Sequence, residues 1–308
     1  MSLVASSRVL ALSILLAHVG LAQSDSPQKP DRPAPPPAEA PPPPPVIATP
    51  RPPQEPSVLE DGGFSIQPIY WFSQKQPALR GGKIAATNNL YENFDYAGNS
   101  NRPLGAEIGI PTGHSNTLRL SYFRAQGNAN ATAGRDVTLF GEAFTAGDYL
   151  TANYLVQSAK ISWDYLSYTW RKPTTHIHLK TLYELQYVNV GTNISAPLKA
   201  ITTDASGNVD SNMASGTKTL FYPTFGLALG SLLGKHFRWE VKASGFGLPH
   251  KGNIWDAQAT LAVRLGAVEL LAGEKAYHFK TSPQQEQYFQ QTLQGAFVGV
   301  RYSWGLPQ

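Results

Sequence analysis

Polar and apolar residues alternate along most of the chain after Gly63. Between residues 176 and 191, Ile177, Leu179 and Tyr183 alternate with polar residues such as Lys180 and Glu184. Because successive side chains of a β-strand point to opposite faces, this period of two predicts strands with one apolar face and one polar face. The same pattern predicts ten strands, at about 63–73, 104–111, 117–126, 153–170, 176–191, 219–232, 236–246, 254–265, 267–279 and 295–304.

The connections between the predicted strands are alternately long and short. Long polar loops are expected after the first strand and at about 127–152, 192–218, 247–253 and 280–293, and short turns near 111–116, 171–175, 234–235 and 266. Long loops on one side and short turns on the other are typical of membrane barrels, and an even strand number brings both ends to one side. The sequence therefore predicts an all-β fold, a transmembrane antiparallel up-and-down β-barrel of about ten strands, with eight or twelve as alternatives.

The last predicted strand, at 295–304, separates its two faces most clearly. Ala296, Val298, Val300, Tyr302 and Trp304 share one face, and the other face carries a glycine, a serine and an arginine. This pattern is typical of a strand with lipid on one side and a polar lumen on the other.

The same strand resembles the C-terminal insertion signal of bacterial outer-membrane β-barrels. Phe297, Gly299, Tyr302 and Trp304 are the residues assigned to this signal, although the tail 305–308 extends beyond the final aromatic residue at which family members usually end. The resemblance implies an outer-membrane location, contact with outer-membrane lipid and insertion by the barrel-assembly machinery.

Two segments precede the predicted barrel at 61–308. Residues 1–22 have the features of a cleaved signal peptide, with Arg8 before the apolar stretch 9–19 and a small-residue cleavage site at 20–22. Residues 23–60 form a Pro-rich segment with five consecutive prolines at 41–45. Because proline lacks an amide donor and fixes φ, we expect a disordered periplasmic linker, which serves either as a spacer or as an arm for a periplasmic partner.

Composition and charge narrow the function classes. Only 15% of the 308 residues are charged, against ~25% in average soluble domains. The absence of cysteine excludes a disulfide framework and a cysteine nucleophile. The net charge of +4 is not concentrated in a Lys/Arg cluster, so no nucleic-acid partner is predicted. We expect a monomer without cofactor or metal.

Both acids and bases fall on the inward faces of the predicted strands. A lumen of ten strands is only slightly wider than one that side chains can fill, so opposite charges are expected to pair and to close it. The alternative is a narrow pore for small polar solutes. The predicted lumen charges are Glu107, Arg119, Lys160, Asp164, Lys180, Glu184, Glu240, Lys242, Arg264, Glu269 and Arg301.

A few residues near the predicted outer rim offer catalytic chemistry. Some small outer-membrane barrels are surface proteases or lipid-A modifying enzymes that place a His with carboxylates or a Ser at this rim. Here His250 with Asp256, and His278 with Ser282, are the candidate pairs, but neither the acidic pair of the proteases nor a His-x-Ser arrangement is present. The sequence therefore does not predict catalysis, and an outer-rim hydrolase is an alternative.

His176 and His178 share a strand face, as metal ligands could, but no third ligand lies nearby in the sequence.

Alternation alone does not say which face meets solvent. A secreted, soluble lipocalin-like barrel would show the same period with its apolar side chains inside, and the motifs at 130–132 and 193–195 match glycosylation sequons. The terminal aromatic signal, the loop asymmetry and aromatics at strand ends favour the membrane barrel. The predicted function is a structural or surface-interaction role in the outer membrane.

Overall fold

The computed structural model describes residues 63–73, 80–84, 91–95, 100–112, 116–172, 175–201, 211–234, 236–249, 252–282 and 287–304. The predicted signal peptide at 1–22, the Pro-rich linker at 23–60 and His250 lie outside the described residues, so the predictions about them stay predictions. The described part of the chain is built from β-strands and the turns between them. It contains no helix that is long and apolar enough to cross a membrane.

In the described part of the chain, ten antiparallel strands close into a barrel, which confirms the predicted all-β antiparallel barrel and its strand number. Each strand pairs with the next one along the wall, and the first pairs with the last, from Phe64 beside Trp304 to Ser73 beside Gly295. The barrel strands are β1 (Phe64–Ser73), β4 (Ser100–Pro111), β5 (Thr117–Thr132), β8 (Tyr149–Lys172), β9 (Thr175–Ser195), β10 (Met213–Leu233), β11 (Phe237–Leu248), β12 (Gly252–Leu265), β13 (Val268–Thr281) and β14 (Tyr288–Trp304).

Two small hairpins lie at the end of the barrel opposite its termini, within segments predicted to be loops. The first consists of β2 (Arg80–Ile84) and β3 (Tyr91–Asp95), and β2 extends the sheet along β14. The second consists of β6 (Val137–Leu139) and β7 (Glu142–Phe144). Gly141, between β6 and β7, and Gly147, just after β7, have positive φ values, which glycine adopts without steric cost.

Several barrel strands are longer than predicted and continue into segments expected to be loops. The sequence predicted a strand at 117–126, whereas β5 continues to Thr132, and β9 continues to Ser195 rather than to 191. In the added part of β5, Ala129 is buried while Asn128 and Asn130 are exposed. These small and polar residues have low β-propensity, so tertiary packing rather than propensity makes them a strand.

The wall has two sections that meet at one row of residues across four strands. We call Tyr122, Ala159, Tyr187 and Phe221, which are register partners on β5, β8, β9 and β10, the aromatic row. Two positions further from the short turns, the register partners are Arg124, Gln157, Asn189 and Thr219, which we call the polar row. The lower section lies on the short-turn side of the aromatic row, and the upper section lies on the other side.

The lower section is apolar outside and polar inside. On β8 the outward residues Ile161, Trp163 and Tyr165 are exposed, while Ser162 and Asp164 are buried in the lumen. The same alternation occurs on the other barrel strands and gives a band of exposed apolar side chains, which we call the outer belt. The exposed Glu274, which is outward on β13, interrupts this band.

The upper section has the reverse polarity. Above the aromatic row, the inward positions of β8 are Val156, Tyr154 and Ala152, all buried, and the outward positions include Gln157 and Asn153. The strands keep the same inward and outward positions through this change. The apolar core of the molecule therefore lies in the upper section, whereas the lower section has a polar interior.

Candidate functional site: the barrel lumen

Arg119 is the centre of one ion-pair cluster in the lower lumen. Its Nη1 lies 2.8 Å from the Oε1 of Glu107, and its Nε lies 2.5 Å from the Oδ2 of Asp164. Glu107 also approaches the Nζ of Lys242 at 3.3 Å, and Glu240 lies 3.8 Å from Arg119. The alternation of β4, β5, β8 and β11 directs all five side chains inward, so one cluster joins strands from different parts of the barrel wall.

Glu269 is the centre of a second cluster, near the short turns. It accepts hydrogen bonds from Arg264 on the neighbouring strand, at 2.7 Å, and from Arg301, at 3.1 Å. Arg238 lies 3.9 Å from Glu269 and donates to Glu240 at 2.6 Å, which connects this cluster to that of Arg119. Arg301 has a further acceptor in Gln67, at 2.8 Å, so β14 and β1 are linked across the barrel closure.

Lys160 forms the third cluster with two acids. Its Nζ lies 3.2 Å from Glu184 and 3.0 Å from Asp256. Thr224 donates a hydrogen bond of 2.9 Å to Glu184, and Thr224 and both acids are buried. Because each acid has a cationic or hydroxyl partner, the cost of removing it from water is offset by charge-assisted hydrogen bonds.

A small cavity lies among the side chains of these clusters. The cavity bordered by Arg238, Glu240, Gln258, Thr260 and Arg301 has a volume of about 10 Å³. A volume of ~10–15 Å³ holds one water molecule, so this cavity does not form a passage for a hydrated solute.

Apolar side chains pack against one another inside the upper section. The ring of Phe123 packs edge-on against Trp71 and Tyr277, with centroid distances of 5.8 and 4.9 Å. Further out, Phe140 of the β6–β7 hairpin stacks on Phe289, with the centroids 5.5 Å apart. The residues of this core include Val156, Val188, Val190, Ile194, Phe279, Leu293 and Phe297.

The structure brings most of the predicted lumen charges into these clusters. Glu107, Arg119, Lys160, Asp164, Glu184, Glu240, Lys242, Arg264, Glu269 and Arg301 make the ion pairs given above. Lys180 is also buried in the barrel.

Some lumen residues were not in the predicted set, among them one arginine, one glutamine and one lysine. Arg238 and Gln67 make the contacts described above, and Lys275 places its Nζ 5.6 Å from the ring centre of Trp71 and 5.5 Å from that of Phe123. The signal that could have found them is strand parity, since Arg238 is in phase with Glu240 and Lys275 is in phase with Glu269.

The candidate catalytic residues lie in different environments. Asp256, expected near the rim, lies inside the barrel against Lys160, and its partner His250 is outside the described residues. His278 lies on the outward side of β13, stacks on Trp255 with a centroid distance of 5.5 Å and hydrogen-bonds Thr292 through Nδ1 at 2.8 Å. Ser282 is buried just after β13. The rim-enzyme alternative is therefore not tested by the described geometry.

The two candidate metal ligands lie near the short turns. His178 is 3.0 Å from the hydroxyl of Thr169 through Nδ1, and His176 is exposed. Within the described ranges, no group of three or more His, Asp or Glu side chains is arranged to hold a metal ion.

The residues of the predicted insertion signal lie along β14. Tyr302 and Trp304 are exposed on the outer belt, where their rings contact each other at 4.5 Å, and Phe297 is buried in the lumen. A Cβ on Gly299 would lie 2.8 Å from the carbonyl oxygen of Pro68, so this glycine permits β1 to approach β14.

Neither a protein-family model nor a curated protein matches this sequence.

Proposed function

We propose that this protein is a bacterial outer-membrane β-barrel with a closed lumen, and that it has a structural or surface-interaction role. The observation that carries the proposal is the reversal of wall polarity at the aromatic row. A barrel in lipid needs an apolar exterior, while the part that extends into water needs a polar exterior and an apolar core.

The height of the outer belt supports this assignment. On β12 the belt runs from Trp255 to Leu265, and on β9 it runs from Ile177 to Tyr187. Both stretches have the ~9–11 residues of a strand that crosses the hydrocarbon region.

Aromatic residues near both edges of the outer belt also support the membrane assignment. Trp170, Tyr302 and Trp304 lie near the short turns, and Tyr122 and Tyr187 lie in the aromatic row. Tyr122 accepts a hydrogen bond of 2.9 Å from Gln157 of the polar row, so its ring contacts apolar neighbours while its hydroxyl lies beside polar groups. Amphipathic rings have this arrangement at membrane interfaces.

The soluble lipocalin-like alternative fits the upper section but not the lower one. A soluble barrel buries its apolar faces, whereas Leu261, Phe221 and Phe237 expose 69%, 62% and 58% of their surface in the outer belt. Exposed apolar patches beyond a few hundred Å² mark interaction with a membrane or a partner. We assign the belt to outer-membrane lipid.

The closed lumen favours a structural or surface role over transport. Ion pairs fill the lower section and aromatic side chains fill the upper one, so a solute would have to disrupt both layers. With the termini on the periplasmic side, the upper section extends beyond the outer surface of the membrane and forms the surface available to external partners. The barrel-assembly machinery inserts the protein, using Tyr302 and Trp304.

Cell fractionation tests this proposal. The full chain, expressed in a Gram-negative host, is expected in the outer-membrane fraction of a sucrose gradient, with heat-modifiable migration on gels. Changing Tyr302 and Trp304 to Ser together should abolish both, while Tyr168→Ser, a belt aromatic outside the last strand, should leave insertion intact. A wild-type protein that stays soluble without detergent would contradict the membrane assignment.

A further inference from the structure

Lys275 is a lumen cation that does not take part in the three ion-pair clusters. Its side chain points inward from β13, and its Nζ lies 5.6 Å from the ring centre of Trp71 and 5.5 Å from that of Phe123, both in the apolar core. The two rings attract the cation, but they are not hydrogen-bond acceptors of the ordinary kind. Among the described residues, no oxygen accepts a hydrogen bond from this ammonium group and no acid forms an ion pair with it.

The acids closest in effect to Lys275 are paired with other cations. Two acids, Asp256 and Glu107, and two bases, Lys160 and Lys242, act on Lys275 through their charges, and their effects oppose one another. Asp256 lies 3.0 Å from the Nζ of Lys160, and Glu107 lies 3.3 Å from that of Lys242. The charge of Lys275 is therefore not compensated by an acid of its own, and an uncompensated charge inside a protein is costly.

A second polar group without a partner lies on the same inner surface. Lys275, Gly295 and Ser73 are register partners on β13, β14 and β1. Because Gly295 has no side chain, Lys275 extends across β14 toward β1, where it reaches Trp71. Ser73 is in phase with Trp71, and its Oγ is buried without a hydrogen-bond partner in the described part of the chain. A hydroxyl and an ammonium group thus lie on one side of the lumen with no side chain between them.

We propose that Lys275 and Ser73 bind a monovalent anion of the size of chloride inside the barrel. Lys275 is half-buried although it points inward, so space adjoins it in the lumen. The packing of Phe123 against Trp71 and Tyr277, at 5.8 and 4.9 Å, limits this space and favours a small ion over a phosphate. The ion accepts charge-assisted hydrogen bonds from Nζ and Oγ. Since the site is in the lumen, it does not depend on what surrounds the outer belt.

A neutral Lys275 explains the arrangement less well. Loss of the proton would remove the uncompensated charge without any anion. It would also remove the attraction of the ammonium group to both aromatic rings, and the hydroxyl of Ser73 would still lack a partner. A bound anion satisfies both polar groups at once.

Chloride NMR line broadening tests the proposal on the full protein in a non-ionic maltoside detergent, with gluconate keeping the ionic strength constant. The wild type should broaden the signal saturably, and bromide should reverse the effect. Lys275→Gln and Ser73→Ala should each weaken chloride binding by about tenfold or more, because each removes a hydrogen bond to a charged group. Lys280→Gln is the matched control and should bind like the wild type. Lys280 also has its Nζ over an aromatic ring, 5.9 Å from the centre of Tyr288, but it points outward.

The variants separate the other outcomes. Equal broadening by the wild type and a folded Lys275→Gln protein would overturn the proposal, as would a wild type without saturable broadening. Binding that is lost in Lys275→Gln but unchanged in Ser73→Ala would refute the two-residue site. Heat-modifiable migration reports whether each variant is folded. If Lys275→Gln does not fold, the unfolding temperature of the wild type decides. It should rise with chloride but not with gluconate, because a ligand of the folded state stabilises it, and Ser73→Ala should lose this rise. A wild type that responds equally to both salts would contradict the site.

Discussion

Arg119 is the lumen side chain whose loss we expect to reduce the stability of the lower section most. Its guanidinium contacts Glu107 and Asp164 directly and lies 3.8 Å from Glu240, and only 6% of the side chain is exposed. Removing one partner of a buried ion pair leaves the remaining charged side chains buried without an opposite charge. This costs more stability than replacing the whole pair with apolar residues.

Arg119→Met should therefore destabilise the barrel by about 3–5 kcal/mol, the usual cost of breaking a buried pair. Urea unfolding in detergent micelles, followed by tryptophan fluorescence, measures the change. Arg124→Met is the matched control, because Arg124 is exposed on the polar row and should lie within about 0.5 kcal/mol of the wild type. Adding Glu107→Gln to Arg119→Met should restore part of the loss. Equal unfolding midpoints for the two single variants would contradict the cluster.

At this scale the sequence predicts the face of a residue but not its partner. Alternation is a local property, so it is enough to identify Glu107, Lys242 and Glu184 as inward residues. The pairing of Glu107 with Lys242 joins positions 135 residues apart. Such a contact depends on the stagger of the strands and the closure of the barrel, which no local pattern contains.

Among the strands, the pair β1 and β14 determines whether the sheet becomes a barrel. β14 carries glycines where β1 comes closest, and a Cβ on Gly295 would collide with the backbone of Phe72. The indole of Trp71 also donates a hydrogen bond of 3.1 Å to the carbonyl of Gly295. A residue without a side chain is needed here because the neighbouring backbone occupies the position of the Cβ.

Gly295→Ala should weaken closure between β1 and β14, because the backbone of one strand would have to move. On gels, the folded form of the variant should convert to the unfolded form at a lower temperature than the folded form of the wild type does. Less folded protein should also reach the outer membrane. Gly134→Ala is the control, since a Cβ at Gly134 meets no atom within 4 Å. If the two variants unfold at the same temperature, the close approach of Phe72 is not important for closure.

The strands themselves are predictable where their outer face is apolar. The belt parts of β5, β8 and β9 and the first residues above the aromatic row are predicted as strands. The far ends of these strands, at 127–132, 149–152 and 192–195, lie in segments that were predicted to be loops. In the upper part of β5, Gly127, Asn128 and Asn130 are typical of turns. They form a strand because Ala125 and Ala129 pack into the apolar core, which exists only when the opposite wall is in place.

For the whole molecule, the two sections place different kinds of side chain in the lumen. Ion pairs occupy the lower section, and an apolar core with the β6–β7 hairpin occupies the upper section. The sequence predicts the charged layer but not the whole apolar layer, because part of the apolar layer, such as Leu150, Ile194 and Leu293, lies in segments that were predicted to be loops.

Planar-bilayer recordings should show no stable conductance for the wild type, and none after residues 134–147 are replaced by Asn-Gly. This replacement is geometrically feasible because the amide of Ala133 donates to the carbonyl of Asp148 at 2.8 Å, so the ends of the excised segment are adjacent. The charged layer should keep the shortened barrel closed. Large, stable steps from the wild type would contradict a closed lumen, and steps that appear only after the excision would show that the hairpin alone closes it.

The reversal of polarity at the aromatic row also restricts strand slippage. In an ordinary strand, a slip of one residue exchanges the faces and is strongly opposed, but a slip of two preserves them. Here, moving β9 two residues toward the turns would set Val188 beside Lys160 and Asn189 beside Ala159. The opposite move would raise Tyr187 into the polar row. Both faces of the wall therefore oppose the slip of two that alternation alone would permit, and the strands have a single favourable alignment.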